Sequence, residues 1–564
     1  MNVTLAYKGH SAVTGDARHQ TLRLVPNLAR DPVAFDGPLK HPLRFREAMS
    51  ALHDTVISDL RFKKKDKTAY RQWKANEAKG LNEARRRAVA QLTAEALARQ
   101  AAVSPDLQKA YDRARERYWN ARVAYDKYLR VHDEQLWRML LPWDPVITVA
   151  DDVVFFECFS ADESSYGCLT VDRADGFGAS GQTQYGTTNV DYSWDLYHHF
   201  QSLRSYRETR FNVDPEGFSV ATSGAAEYRE EKIDLPDGWL RGFMTLQSAM
   251  GLPMQRVTLS REAVYSICAF HKRHRAHKSP RAIRFELLPG QSPRVVLEPW
   301  EQPIVSHGTT YDGPGVEPIR VWGGRRLLAL SRLLPLAERF DVYLLGTGLP
   351  SFWVARMGEM RLTLGLSGWT ANDWTKGSAL DLIAPPAAPS PDQVTNVQAL
   401  VRELKSATLA DVQSRLNLDA ATAIATLRHL AHAGQVIHDL VPGLYRWRQV
   451  MPRALGEAEI GPEHPELAGA RVIMQRKQAD LTGREEAPGG GYVLKGRVAS
   501  HDVEMLVDAD QRIKRGTCPC GHARRFGLKN GPCRHMLVLR WRAYASAYAA
   551  YTKSTWYNQL QGRS

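Results

Sequence analysis

The period of the apolar residues changes several times along the chain, and each change predicts a change of architecture. Residues 1–45 show short alternating runs (Val3–Tyr7, Thr21–Val25) broken by Gly and Pro, which reads as strands and turns. From 46 to 141 the pattern becomes helical. Ser104-Pro105-Asp106 breaks it and restarts it, with Ser as an N-cap and Pro in the first turn. Tyr111, Tyr118 and Tyr125 then recur every seven residues, with Ala114, Ala121 and Tyr128 three residues after each. This heptad seam predicts a long antiparallel, coiled-coil-like hairpin over 46–141.

Residues 145–385 change character again. Val146–Val149 and Val153–Phe156 read as strands, and Arg281–Leu288 and Arg294–Glu298 as a hairpin around Pro289-Gly290. Helical patterns interrupt them at Trp194–Arg207, Ser260–His274 and Arg325–Arg339. Without a regular βαβ alternation, the segment predicts a mixed α+β domain. A proline-rich linker at Ala384–Pro389 follows. Over 390–450 come three short helices (Asp392–Leu404, Leu409–Leu416, Ala420–Ala433) and two strands (Gln435–Leu440, Leu444–Arg448), a winged-helix pattern. A second linker, Pro488–Gly491, leads into strands at Tyr492–Ala499 and Asp502–Val507 and a helix at Met536–Ala550. The fold class read from the pattern is therefore a multidomain α+β chain.

Charge alters this picture at two places. The chain of 564 residues carries a net charge of +14, but Gln511 to Ser564 alone holds eleven Lys and Arg and no Asp or Glu. A second basic block spans Arg61 to Arg87, so the remainder is mildly acidic. Six cysteines in a chain this long exclude a disulfide scaffold. The first residues lack the charged and apolar regions of a signal peptide, and no run approaches the roughly 18 apolar residues of a membrane helix. The expectation is a cytoplasmic protein without membrane contact.

Cys518-Pro519-Cys520 is followed twelve residues after Cys520 by Cys533-Arg534-His535. A C-x-C pair on a tight turn can place two sulfurs on one ion, and Gly531-Pro532 can bring Cys533 back to join them. Three thiolates and an imidazole suit one tetrahedral Zn²⁺. Four protein ligands close its shell, so the zinc is expected to be structural. A ligand set with His522 in place of one member stays open. Cys158, Cys168 and Cys268 lie far apart among apolar residues and read as buried small hydrophobes.

The C-x-C…C-x-H spacing, with a β-hairpin before it and a helix after it, resembles the SWIM zinc finger over roughly residues 488–550. That resemblance implies DNA binding or protein–protein contact. The stretch Gly365–Trp374 and the long upstream region are similar to a bacterial group of SWIM proteins encoded beside MoxR-type AAA+ ATPases and von Willebrand A proteins. The resemblance thus implies those two kinds of protein partner.

The basic C-terminus is interleaved with Phe526, Trp541, Tyr544, Tyr548, Tyr551, Trp556 and Tyr557. Basic charge attracts phosphate through counterion release, and aromatics can stack on bases. Arg524, Arg525, Lys529, Arg534, Arg540 and Arg542, with Arg446 and Arg448 of the wing, are the candidate nucleic-acid contacts, with DNA ahead of RNA. The same rings could instead pack the last helix onto the finger. The winged-helix segment has a net charge of only +1, so it suits protein docking as well as DNA. No P-loop, H-E-x-x-H or G-x-S-x-G motif occurs. His271, His274 and His277 read as cations near a helix C-terminus. The expectations are a non-enzymatic nucleic-acid-binding protein or, in a different class, an adaptor subunit of an ATPase-driven assembly.

Overall fold

A computed structural model describes residues 4–57, 145–368, 389–487 and 491–552 with short interruptions, the longest at 214–228 and 456–464, and scattered helical positions between 106 and 132. The chain divides into two compact units, residues 1–58 with 142–564, and residues 59–141. Of the expected hairpin, the Tyr111–Tyr125 seam and the Arg61–Arg87 block lie outside the described residues, as does Trp369–Trp374.

The larger unit is a mixed α+β body with several sheets. Its centre is an eight-stranded antiparallel sheet in the order Gln255–Ser260, Arg339–Leu344, Ser351–Met357, Met360–Leu366, Ser165–Asp172, Val153–Phe159, Val146–Val149, Gly186–Asn189. Its central strands are buried along nearly their whole length, so both faces are covered. Helix Pro42–Val56 covers one face. It starts at a proline in the first turn, earlier than the periodicity suggested, and its Leu52 lies where a Cβ on Gly167 would stand, 2.8 Å from Cδ1. Helix Asp237–Met250 lies against the other face, where Phe159 meets Trp239 and Phe243 edge-on.

A five-stranded sheet, Ala12–Gly15, His19–Leu24, Glu208–Val213, Ala34–Leu39, Thr183–Gln184, extends this core. The expected hairpin is present as Ile283–Glu286 and Arg294–Leu297 within a four-stranded sheet. The expected helix Ser260–His274 spans Arg261–Arg273, with the Ser260 hydroxyl capping it. Arg325–Arg339 differs from the expectation. A 3₁₀ helix covers only Gly324–Arg332, and Arg339 opens a strand of the central sheet. The apolar run Phe340–Leu344 is completed by strand partners on both sides, which local periodicity cannot register.

The segment read as a winged helix has helices Pro391–Leu404, Leu409–Leu416 and Ala420–His432, and a small sheet in the order Ser406–Ala407, Leu444–Trp447, Val436–Asp439. Each helix is started by a side-chain cap: Ser390 with Gln393, Thr408 with Asp411, Asp419 on Thr422.

This segment is docked on helix Asp237–Met250 and the central sheet through polar contacts, and its Ile437 and Val450 join the central apolar core. Arg428 Nε donates to the Gly251 carbonyl at 2.9 Å, His432 meets Ser248 at 2.8 Å, and His438 Nδ1 donates to the Met250 carbonyl at 2.8 Å. Arg446 bridges Asp439 and Asp152, and Asp439 also accepts from Arg361. Arg448 lies against Glu157 with Nε 3.0 Å from the carboxylate, both side chains fully buried, and Tyr166 donates to the same carboxylate at 2.7 Å. A cavity of about 20 Å³ between wing and sheet, lined in part by Tyr166, Cys168, His438 and Arg446, has room for about one water.

The C-terminal module begins upstream of the expected linker. Helix Pro465–Gln475 and strand Ala479–Ala487 precede Gly491–Val498, His501–Val507 and Ile513–Thr517, which form one antiparallel sheet. Helix Arg534–Thr552 lies across that sheet, burying Met536, Val538, Leu539 and Trp541 against Leu494, Val498, Val503 and Met505. Two glycines permit the approach. A Cβ on Gly496 would stand 2.4 Å from Leu539 Cδ1, and one on Gly516 would stand 2.8 Å from Met536 Sδ.

Candidate metal centre and basic surface

Strand Ile513–Thr517 delivers the chain to Cys518. Cys520 caps the short helix Gly521–Phe526, its sulfur accepting the Ala523 N–H at 3.4 Å. Gly527 and Gly531 then take positive φ (57° and 85°), the conformation that lets the loop return. Cys533 stands immediately before helix Arg534–Thr552, and its sulfur accepts the Met536 N–H. Two of the three thiols therefore sit at helix starts, where backbone N–H groups favour a thiolate. Cys518 in turn accepts the Cys520 N–H.

The donor atoms of Cys518, Cys520, Cys533 and His535 all lie within 4.8 Å of one another, so one metal ion could contact all four. The Cys518 sulfur is 3.6 Å from His535 Nδ1. The cluster is largely shielded: Cys518, Cys533 and His535 are buried and Cys520 is half-buried. Crowding splits the thiols. The hydrogen bond with Cys518 holds Cys533 well below the usual thiol range, and the same contact, with burial, pushes Cys518 up. A cluster of sulfurs that cannot all shed protons alone matches what a cation would resolve.

His522 is held elsewhere. Its Nε2 donates to the Gly531 carbonyl at 3.3 Å and its Nδ1 faces Glu466 at 3.9 Å. His535, by contrast, stacks on His501 with ring centres 4.1 Å apart, which fixes the imidazole plane. Cys158, Cys168 and Cys268 are buried in the central core, and desolvation pushes Cys168 up to about 12 and Cys268 up to about 11.

The candidate cations separate into two groups. Arg534 is engaged by Glu466, which accepts from its backbone N–H at 2.7 Å and its guanidinium at 2.8 Å. The guanidinium crosses Gly469, where a Cβ would stand 2.6 Å from Cζ. Arg534 holds the Glu466 carboxyl below the usual carboxylate range. Arg540 is buried. Arg446 and Arg448, read from the sequence as a basic wing, are buried in ion pairs with the central sheet instead of being presented to solvent. Arg446 has one partner nearby in sequence, Asp439, but Asp152 and Glu157 lie nearly 300 residues earlier, beyond the reach of local pattern.

Arg524, Arg525 and Arg542 are exposed, and no carboxylate pairs with them among the described residues. Phe526 lies beneath Arg525 at 5.2 Å and against His522. Trp541 belongs to the core. Lys529, Trp556 and Tyr557 lie outside the described residues, as do the side chains of Tyr544 and Tyr548. The outer face of the module's sheet is neutralised: Lys495 pairs with Glu485 and sits across from Glu504, and Arg497 lies between Asp480 and Asp502.

No protein-family model matches the chain. No curated protein matches it either. Among solved structures it is similar to Proliferating Cellular Nuclear Antigen from Entamoeba histolytica, at 11% identity and a TM-score of 0.26, over 40% of this chain and 89% of that one. It is also similar to A. fulgidus PCNA bound to the C-terminal region of FEN-1 (12%, TM-score 0.27, 41% and 91%) and to PCNA from Thermococcus kodakaraensis (11%, 0.25, 40% and 90%). Scores this low define no shared fold. Among the described residues, no helix is long and apolar enough to cross a membrane.

Proposed function

We propose that this chain is a non-enzymatic, zinc-containing nucleic-acid-binding protein whose SWIM-type finger meets the phosphate backbone, with DNA ahead of RNA. Zinc is the metal favoured by three sulfurs and one imidazole. Tetrahedral zinc with bonds of about 2.0 to 2.3 Å needs donors roughly 3.5 to 3.8 Å apart, and the 3.6 Å from Cys518 to His535 fits that spacing. The ion is structural: it ties the end of the sheet to the starts of two helices.

The observation that carries the binding function is the set of exposed, carboxylate-free cations Arg524, Arg525 and Arg542 in a C-terminal stretch without acidic residues. Fluorescence anisotropy of the full chain with labelled duplex DNA over a salt series tests it. Binding should weaken with a log–log slope of about −0.9 per phosphate contacted. Reversing Arg524, Arg525 and Arg542 to Glu should remove most of the affinity. Failure of the unmodified protein to bind at low salt would overturn the proposal.

The second reading is an adaptor that contacts proteins such as AAA+ ATPase and von Willebrand A subunits. It is favoured by the near-neutral charge of the winged-helix segment and by the burial of Arg446 and Arg448, which withdraws its basic residues from DNA. Such association should respond weakly to salt.

A further inference from the structure

The helix Arg261–Arg273 ends in a basic segment that the finger does not explain. Lys272, Arg273 and Arg275 are exposed, and among the described residues no carboxylate pairs with any of them. Cations in a last helical turn ordinarily answer the helix dipole. Here, however, the His271 carbonyl already receives Arg325, whose guanidinium reaches it at 3.5 Å, and Arg275 lies beyond the helix altogether. The positive charge exceeds what the helix end requires.

Aromatic surface accompanies that charge. Tyr265 is 59% exposed. It lies four residues after Arg261 and seven before Lys272, on the same solvent face of the helix. At the helix end the exposed His274 ring lies 4.3 Å from Phe270 and 5.9 Å from the half-buried Trp300, and Phe270 meets Trp300 edge-on at 5.0 Å. The strip from Tyr265 to Arg273 is roughly 12 Å long at the helical rise. Glu262, the acidic residue on this face, is paired with Arg261.

From this arrangement we infer that the face of helix Arg261–Arg273 and the segment after it bind single-stranded nucleic acid, independently of the C-terminal finger. Lys272, Arg273 and Arg275 contact phosphates, and Tyr265 and His274 offer ring faces to unpaired bases. A groove of unpaired cations beside stacking rings is what sequence-tolerant single-strand binding requires. A duplex would meet the cations but leave the rings unused, because its bases are already stacked.

The test uses the full chain with a labelled 20-nucleotide single strand and the matching duplex. Three variants are compared: K272E/R273E/R275E, Y265A and R524E/R525E. All are surface changes, and circular dichroism confirms folding. The triple reversal should weaken single-strand binding at least tenfold and reduce the salt slope by about 2, near 0.7 for each phosphate that is no longer neutralised. Y265A should weaken single-strand binding about fivefold or more and leave duplex binding unchanged. R524E/R525E should weaken duplex binding and retain most of the single-strand affinity. An unchanged single-strand affinity in the triple reversal overturns the inference, as does an equal loss for both ligands in Y265A. Equal binding of a polyglutamate peptide would overturn it as well. If only R524E/R525E loses binding, the finger stands and this site falls; the reverse pattern removes the finger and keeps this site.

Discussion

Replacing Arg448 with Met tests what locks the wing to the central sheet. In the native protein the Arg448 guanidinium stands 3.0 Å from Glu157, both fully buried. At an effective dielectric of about 20, two charges so placed attract by on the order of 5 kcal/mol. Removing one partner of a buried pair leaves the other uncompensated and costs about 3–5 kcal/mol. In the variant the Glu157 carboxylate would keep only the Tyr166 hydroxyl as a partner. Burial already raises the Glu157 carboxyl above its ordinary range, with Arg448 opposing that shift. Without Arg448 the folded state holds a proton that the unfolded state releases. Stability of the variant should therefore fall as pH rises above the ordinary carboxyl range, and its deficit should be smallest at the acid end. Hydrogen exchange of strands Val153–Phe159 and Leu444–Trp447 reads the local opening directly. Protection should drop between about a hundredfold and several thousandfold at neutral pH. A triple variant, Arg448→Met with Glu157→Met and Tyr166→Phe, removes both charges of the pair and the hydroxyl that would lose its acceptor, and should regain most of the protection. A drop below tenfold in the single variant, or a triple variant as unprotected as the single, would refute the reasoning.

Three further outcomes are expected. Cys518→Ser should release the metal and unfold residues 479–552, read by native mass spectrometry and limited proteolysis, because metal binding supplies the folding energy of such modules. Gly496→Ala should cost about 1–3 kcal/mol in thermal unfolding of the C-terminal module, since its Cβ would press on the Asp480 carbonyl and Leu539 at 2.4 Å each. Glu466→Gln should weaken metal retention against a competing chelator roughly tenfold, because Glu466 holds both the backbone and the side chain of the residue between Cys533 and His535.

What could be read in the sequence was local. The four residues that could hold a metal ion lie within eighteen positions, so spacing alone brought Cys518, Cys520, Cys533 and His535 together. The helices Arg261–Arg273, Pro391–Leu404, Leu409–Leu416 and Ala420–His432 were legible because their apolar period is local, as are the caps the structure shows at Ser260, Ser390, Thr408 and Asp419. Two strands of the central sheet, Val146–Val149 and the start of Val153–Phe159, were legible, but its pairing order was not, for the opposite reason. Ser165–Asp172 pairs with Met360–Leu366 across nearly 200 residues, and no periodicity encodes a partner. The wing misled in the same way: Arg446 and Arg448 looked like surface charge because Asp152 and Glu157 are far away in sequence. The strand Ala479–Ala487 escaped notice because its exposed edge is polar, with Glu485 and Glu486 where an apolar alternation would signal a strand.

The covering of the central sheet has a consequence for synthesis. Its last strand ends at Leu366, but the wing that shields one face is complete only near Leu455. A ribosome adding about 5–20 residues each second leaves that face only partly covered for roughly 5 to 20 s. During this interval Phe159 is covered by Trp239 and Phe243 of helix Asp237–Met250, while Glu157 lacks its Arg448 partner. The nascent chain is thus most prone to self-association before its last third emerges, and truncations between 366 and 455 should need chaperone capture that the full chain does not.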